Sequence, residues 1–505
     1  MSYRGKPTKA CQKCRLRRVK CDLASPVCQQ CEKIGHECQY RDLFDIFHKD
    51  ETSLARDHAR EKWRKRSTKS ANRSSSGDDA QSNSDSTKPS PSSPPLVDAL
   101  QLPLDDRARS RFYFDFVDVR FPYLEILVPR LLGATAADSL LRCTLSAVCY
   151  ANFAGRFNDR QAARAGATQY GKAMRQLAGT IGDPAKLKSF DVCLSVYLLS
   201  MYEVLAGDKL DGTWQAHLKG CGDVLQIYNP SSINTAAERR FYRSMYTQQL
   251  LRHMGQYSAP PADLNRSQDL LPPIDSTIQT LLDLVLRINI VCVNLQPNHQ
   301  PKGVDITGAD HCLEDAVELG FQLQSWYQSL TEDWWCSAKP IATTNRYQWI
   351  SDLLSFPGAP KIMHQYSSPH AKFCSNLYHV GRIHLNLSMI DHLISVYPPQ
   401  QLDTAIIKDL SSKILSHIDV IMKNVPSTLG ISPSGGSEDP RTVNDVQGMK
   451  AYHVMWPLVK TSRCFKRKSI KAADKDGRGR WIKHVLEFLG RELSIKKAAA
   501  HATYF

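Results

Sequence analysis

The chain has 505 residues, 42% of them apolar, with 65 Lys and Arg against 50 Asp and Glu for a net charge of +15. At about 150 residues per domain this is length for roughly three domains and a well-buried core, and the near-average apolar and charged content excludes a chain disordered throughout. The surplus of positive charge favours a polyanionic partner, nucleic acid before an anionic membrane.

Met1 to Ala10 is polar and basic with no apolar run, so no secretory signal is expected. Residues 1–70 hold 18 Lys and Arg against 9 Asp and Glu, a net of +9. Six of the 15 cysteines fall in the same stretch, between Cys11 and Cys38. In a reducing compartment such cysteines are thiols or metal ligands rather than disulfides. Metal chemistry and basic charge therefore coincide.

The cysteine spacing is Cys11-x2-Cys14-x6-Cys21-x6-Cys28-x2-Cys31-x6-Cys38, two near-equivalent halves of a C-x2-C pair and a later single Cys. Tetrahedral zinc takes four ligands, so two ions held by these sulfurs need two of them to bridge. A disulfide scaffold or two separate zinc knuckles are the alternatives, and neither predicts this symmetry or the basic run beside it. Between Cys14 and Cys21 lies Arg15-Leu16-Arg17-Arg18-Val19-Lys20, four cations and two apolar residues. Read as a turn and a half of helix, it turns Leu16 and Val19 inward and its cations outward, a shape that fits the major groove.

All six cysteines match the spacing of the fungal Zn2Cys6 binuclear zinc-cluster transcription factors, which this segment resembles. Pro26 matches a proline common in the loop joining the family's two halves. The resemblance implies two zinc ions, with Cys11 and Cys28 bridging, Cys14 and Cys21 completing one site, and Cys31 and Cys38 the other. It also implies that the first helix, at its C-terminal end, contacts a CGG triplet. Arg18 stands at the family's base-reading position, where many relatives have Lys, with Arg17 beside it. A planar guanidinium suits guanine O6 and N7. Arg15, Lys20, Lys13 and Lys9 are expected on phosphates.

Residues 42–66 are read as a short basic helical extension. Leu43, Ile46, Phe47, Asp50, Leu54 and Ala55 give less than two heptads, short of a coiled coil, which leaves a homodimer open. Lys62 to Lys69 (KWRKRSTK) is a candidate nuclear-import or phosphate-binding run. Residues 67–97, rich in Ser, Asn, Asp and Pro, are read as a disordered linker.

From residue 98 to 505 the patterns are helical, without convincing strand alternation. Leu140, Leu141, Leu145, Val148 and Ala151 recur at helical steps, as do Trp214 to Tyr228, Ile278 to Cys292 and Leu377 to Leu393. Breakers separate them, among them Gly182-Asp-Pro184, Pro260-Pro261, Pro272-Pro273 and Pro398-Pro399. Ile278 to Leu295, the most apolar stretch, carries Asp283 and Arg287 near its middle and is not expected to span a membrane. The remaining nine cysteines are expected as small buried hydrophobes. More loosely, this region resembles the regulatory domain that fungal zinc-cluster proteins carry after the linker, with Trp214-Gln-Ala-His217-Leu218-Lys-Gly220 similar to a W-x2-H-x2-G helix of one branch.

No phosphate-binding Gly loop, H-E-x-x-H or G-x-S-x-G motif is present, so catalysis is not expected. His217, on an apolar face, is expected as a hydrogen-bonded core histidine, and His384 and His392, eight residues apart beside Asp391, as core or solvated side chains. Arg463 to Arg480 is a second basic stretch, expected in solvent. The expectation is a small Zn2Cys6 module plus a large all-α domain joined by a disordered linker. Its function would be zinc-dependent, sequence-specific binding of CGG-containing double-stranded DNA in the nucleus. It would act with the transcriptional machinery on RNA polymerase II genes, after the family's habit those of a metabolic or secondary-metabolite cluster. The contrasting reading is a zinc-bearing RNA- or chromatin-associated interaction protein. RNA readers interleave stacking aromatics, and none lies between Lys9 and Lys33.

Overall fold

The computed structural model describes residues 10–24, 27–35, 38, 102–117, 124–127, 139–210, 212–227, 233, 235–261, 275–296, 306–398, 400 and 402–503. The expected extension 42–66 and linker 67–97 lie outside these residues. The chain divides into two compact units, Met1–Pro94 and Pro95–Phe505.

In the first unit, two short helices, α1 (Gln12–Leu16) and α2 (Gln29–Glu32), each follow a cysteine, Cys11 or Cys28. Among the described residues of this unit the interior is sulfur. Cys11, Cys14, Cys28 and Cys31 are its buried core, with Cys21 and Cys38 packed half-buried against them.

In the second unit side-chain caps fix the starts of several helices. Ser139 accepts from the Arg142 N–H ahead of α4 (Leu140–Phe157), which follows α3 (Leu104–Phe116). Asp159 caps α5 (Arg160–Ile181), and the expected break at Gly182-Asp-Pro184 is real: Asp183 caps the four-residue α6 (Pro184–Leu187). Each such cap satisfies an otherwise orphaned N–H and contributes about 1 kcal/mol.

α7 (Phe190–Ala206) is buried almost all round and packs against α4, against α8 (Thr213–Ile227) and against the C-terminal α18 (Lys496–Ala502). A helix apolar on every face belongs in a core. α9 (Ala236–Gln256) opens on a Thr235–Glu238 capping box, and α10 (Ser276–Asn294) follows. Among the described residues α10 is the one helix long and apolar enough to cross a membrane. It lies instead against α9, α11 (Ile306–Gln328) and α13 (Pro369–Val396), with Leu281, Leu282, Val285, Ile288 and Cys292 inward and Asp283 and Arg287 exposed.

The 28-residue α13 is the second axis, packed by α10, α11, α14 (Thr404–Leu429) and α15 (Gly448–Ser462). α16 (Lys468–Ala473) and α17 (Arg478–Glu492) complete the unit before α18. Among the described residues a pair of strands departs from the helical expectation. β1 (Cys336–Pro340) pairs antiparallel with β2 (Ile362–Tyr366), in register Cys336 with Tyr366 and Pro340 with Ile362, around the short α12 (Gln348–Ser355). Five-residue strands of which β1 is almost wholly exposed carry no period that a sequence could display.

Candidate metal centre and nucleic-acid interface

The six N-terminal sulfurs fall into two groups of four, Cys11, Cys14, Cys21, Cys28 and Cys11, Cys28, Cys31, Cys38, with all ligand atoms of a group within 4.8 Å. Cys11 and Cys28 belong to both. Their sulfurs are 3.8 Å apart, and the Cys11–Cys31 and Cys14–Cys28 pairs are each at 3.6 Å. A zinc tetrahedron with Zn–S bonds of about 2.3 Å has an edge of about 3.8 Å. The spacings are therefore those of two tetrahedra sharing the Cys11–Cys28 edge.

Electrostatics points the same way. Burial pushes the Cys14, Cys28 and Cys31 thiols up, Cys31 to about 12, with neighbouring thiols reinforcing the rise at Cys14 and Cys31. Six thiolates packed so closely require cations between them. Backbone N–H groups assist: that of Cys14 lies 3.5 Å from Cys11 Sγ, and that of Cys28 donates to Cys38 Sγ at 3.4 Å. Asp22 ties the halves together by accepting from the Gln29 N–H at 3.3 Å. No motif marks that contact in the sequence.

α1 ends sooner than the sequence pattern implies. The Val19 N–H reaches back to the Cys14 carbonyl at 3.0 Å, and Arg18 between them is left-handed with φ of 56°. This is the six-to-one closure of a Schellman cap, usually given to glycine. Arg17 and Arg18 thus stand on the turn leaving the helix rather than on its face. Lys13, Arg17, Arg18 and Lys20 are all exposed. Arg15 lies within α1, but its side chain, like all of Lys9 and Pro26, lies outside the described residues. The inward packing expected of Leu16 and Val19 does not occur: Leu16 is 73% exposed and Val19 36%. The reason is the sulfur interior: among the described residues of this unit there is no other apolar core for them to join.

Two family profiles match the chain. The Fungal Zn(2)-Cys(6) binuclear cluster domain covers residues 9–45, and the Fungal specific transcription factor domain covers residues 110–432, more than half of the chain. The chain belongs to the fungal-specific transcription factor family. No curated protein and no solved structure matches it. The Zn2Cys6 cluster of this transcription factor binds two zinc ions, and the sulfur cage fits them. Six thiolates with two Zn²⁺ leave a charge of −2, which the neighbouring cations offset. Every position in either group is a sulfur, the closed set of a structural zinc site.

In the fungal transcription factor domain the other candidates separate into structural roles. His217 Nε2 lies 3.0 Å from Tyr170 Oη, which donates to Glu203 Oε1 at 2.7 Å, and Thr213 donates to the other Glu203 oxygen. Its ring, pushed below the usual histidine value by burial, is a hydrogen-bonded core side chain, as expected. His384 packs on the Tyr257 ring at 4.7 Å, and the fully buried His392 has Nδ1 3.0 Å from the Leu295 carbonyl. Asp391 between them pairs with Arg467 at 2.6 Å, so the three form no metal face.

Of the nine later cysteines, seven are buried, while Cys312 and Cys336 are half-exposed, and all nine are free thiols. The second basic stretch is only partly in solvent. Lys468, Lys471 and Arg480 are exposed, but Arg463 donates to the Gly255 carbonyl, Arg467 holds Asp391, and Arg478 holds Asp419 at 2.7 Å. These arginines fasten α15–α17 to the helices beneath them.

Proposed function

We propose that this transcription factor is a nuclear, zinc-dependent regulator of RNA polymerase II genes that reads CGG-type sites in duplex DNA. The observation that carries the reading is the asymmetry of the two cage loops. Cys14 to Cys21 holds four cations, whereas Cys31 to Cys38 holds Glu32, Lys33, His36 and Glu37. Charge alone therefore assigns the first loop to DNA and leaves the second as support.

The cage supplies rigidity. Cys11, Cys14, Cys21, Cys28, Cys31 and Cys38 are its zinc ligands, with Cys11 and Cys28 bridging. Arg18, fixed in its turn by bonds on either side, reads a guanine edge with Arg17 beside it, and Arg15, Lys20, Lys13 and Lys9 meet phosphates. Base contacts set sequence while phosphate contacts set register and salt dependence. The large helical domain relays a regulatory signal to the transcriptional machinery, with genes of a metabolic or secondary-metabolite cluster as targets by analogy within the family.

An unbiased oligonucleotide selection with the full-length, zinc-loaded protein tests the reading. It should enrich duplexes bearing CGG, and the spacing and orientation of paired triplets would report whether the protein acts as a homodimer. Enrichment of RNA over duplex, or of duplexes without a shared triplet, would overturn it.

A further inference from the structure

Between α8, α9, α10 and α15, with the start of α13 at one side, the helical unit forms a half-open cavity of about 370 Å³. That volume lies within the range of small-molecule sites. Its walls are of two kinds. Trp214, Leu251, Phe373 and Trp456 give it an apolar, largely aromatic body. Five cationic side chains also line it, and no Asp or Glu of the described residues does.

Arg240 is spoken for by an ion pair with Glu125. Arg252, Lys460 and Arg463 are different, for none forms an ion pair with a carboxylate of the described residues. Lys460 Nζ has only the Leu251 carbonyl at 3.4 Å and the Trp456 ring at 5.3 Å, and Arg463 Nη1 has the Gly255 carbonyl at 3.2 Å. Two buried polar atoms on the lining, Trp214 Nε1 and Arg252 Nε, have no hydrogen-bond partner.

Arg252, Lys460 and Arg463 are all half-buried, and a charge that has lost part of its hydration is ordinarily offset by an anionic partner. Burial, with Arg463 adding to it, pulls Lys460 down to about 7. Among the described residues no carboxylate forms an ion pair with these three cations.

We propose that this cavity is a binding site for an amphipathic organic carboxylate, whose anionic group pairs with Lys460 and Arg463 while its apolar body lies between Trp214, Trp456 and Phe373. A small inorganic anion would leave the aromatic wall unfilled, and a neutral apolar molecule would leave the cations unpaired. The site draws helices from both halves of the unit, so an occupant stabilises the whole unit by mass action. It stands independently of how the N-terminal module reads DNA.

The test uses full-length, zinc-loaded protein and two probe pairs, naphthylacetate with naphthylacetamide and decanoate with decanamide. Calorimetry and thermal shift are read for each. At least one carboxylate should bind about tenfold or more tightly than its amide, the contribution of a charge-assisted bond. Lys460→Met should erase that preference with the protein still folding cooperatively, because it removes an ammonium without a carboxylate partner among the described residues, held by a long 3.4 Å bond to the Leu251 carbonyl and by the Trp456 ring. Thr247→Trp, which fills the cavity from α9 where Thr247 is a lining residue, should abolish binding of acid and amide alike. The proposal is overturned if neither carboxylate binds, if amides bind as well as acids, or if both variants bind as the natural protein does.

Discussion

Asp115 and Arg156 face each other at 2.7 Å with neither side chain exposed to solvent, joining α3 to α4. The same carboxylate accepts from Arg111, from Asn152 Nδ2 at 2.8 Å and from the backbone N–H of Gly448 at the start of α15. Arg156 in turn donates to the Val446 carbonyl at 2.6 Å. One carboxylate thus holds three helices. Asp115→Ala leaves the guanidinium buried without its partner and should cost about 3–5 kcal/mol. Pairing it with Arg156→Met should recover part of that loss, since the two changes share one interaction. Urea midpoints would show it, and a single variant within about 1 kcal/mol of the natural protein would refute the role.

The helical unit should be sensitive to acid. Burial holds His384 down to about 3, with Lys460 and Arg463 reinforcing it, and burial likewise holds His253, His417 and His501 to about 4. Each folded value lies below the unfolded one of about 6.5. Between these limits the unfolded chain binds protons that the folded chain refuses, so stability falls as pH drops from about 6.5 toward 4. For His384, which is only 8% exposed, the loss between pH 7 and pH 5 should be about 2 kcal/mol. His384→Gln should flatten the pH dependence by that amount, whatever it does to stability at pH 7. A slope unchanged by the substitution would count against the assignment.

How far the sequence discloses this molecule depends on whether a feature is local. The zinc cage is local, because two C-x2-C pairs, each separated from a later Cys by six residues, admit few arrangements of the six sulfurs. The helix holding Leu281, Val285, Ile288 and Cys292 is local too, since its stripe recurs within two turns. Leu16 and Val19 misled because three-residue spacing implies burial only where an apolar core exists to receive it. Arg467 and Arg478 looked like solvated charge because their partners, Asp391 and Asp419, lie 76 and 59 residues away. The cavity was hidden for the same reason. Trp214 and Lys460 come from distant segments, and neither segment alone marks an absence of carboxylates.

The shared edge of the cage makes a prediction about stoichiometry. Cys28 belongs to both sulfur groups and Cys38 to one. Cys28→Ala should therefore release both zinc ions, whereas Cys38→Ala should keep the ion held by Cys11, Cys14, Cys21 and Cys28. Native mass spectrometry of the full chain would count them. Equal zinc content in the two variants would show that the cysteines do not share ions in this way.

The left-handed turn at Arg18 allows backbone and side chain to be tested apart. With φ of 56°, an L-residue there carries a strain that glycine does not, on the order of 1 kcal/mol. Arg18→Gly should therefore keep the cap, and with it the cage, at least as stable as in the natural protein, while Arg18→Ala should not gain that relief. Both should lose about 1–3 kcal/mol of discrimination for a cognate guanine. Lys20→Ala, by contrast, removes a proposed phosphate contact and should weaken cognate and scrambled duplexes alike, lowering the salt slope by about one. Binding isotherms on matched and scrambled duplexes at two salt concentrations separate these outcomes. If Arg18→Gly lowered affinity equally for both duplexes, Arg18 would be a phosphate contact and the base reading would pass to Arg17.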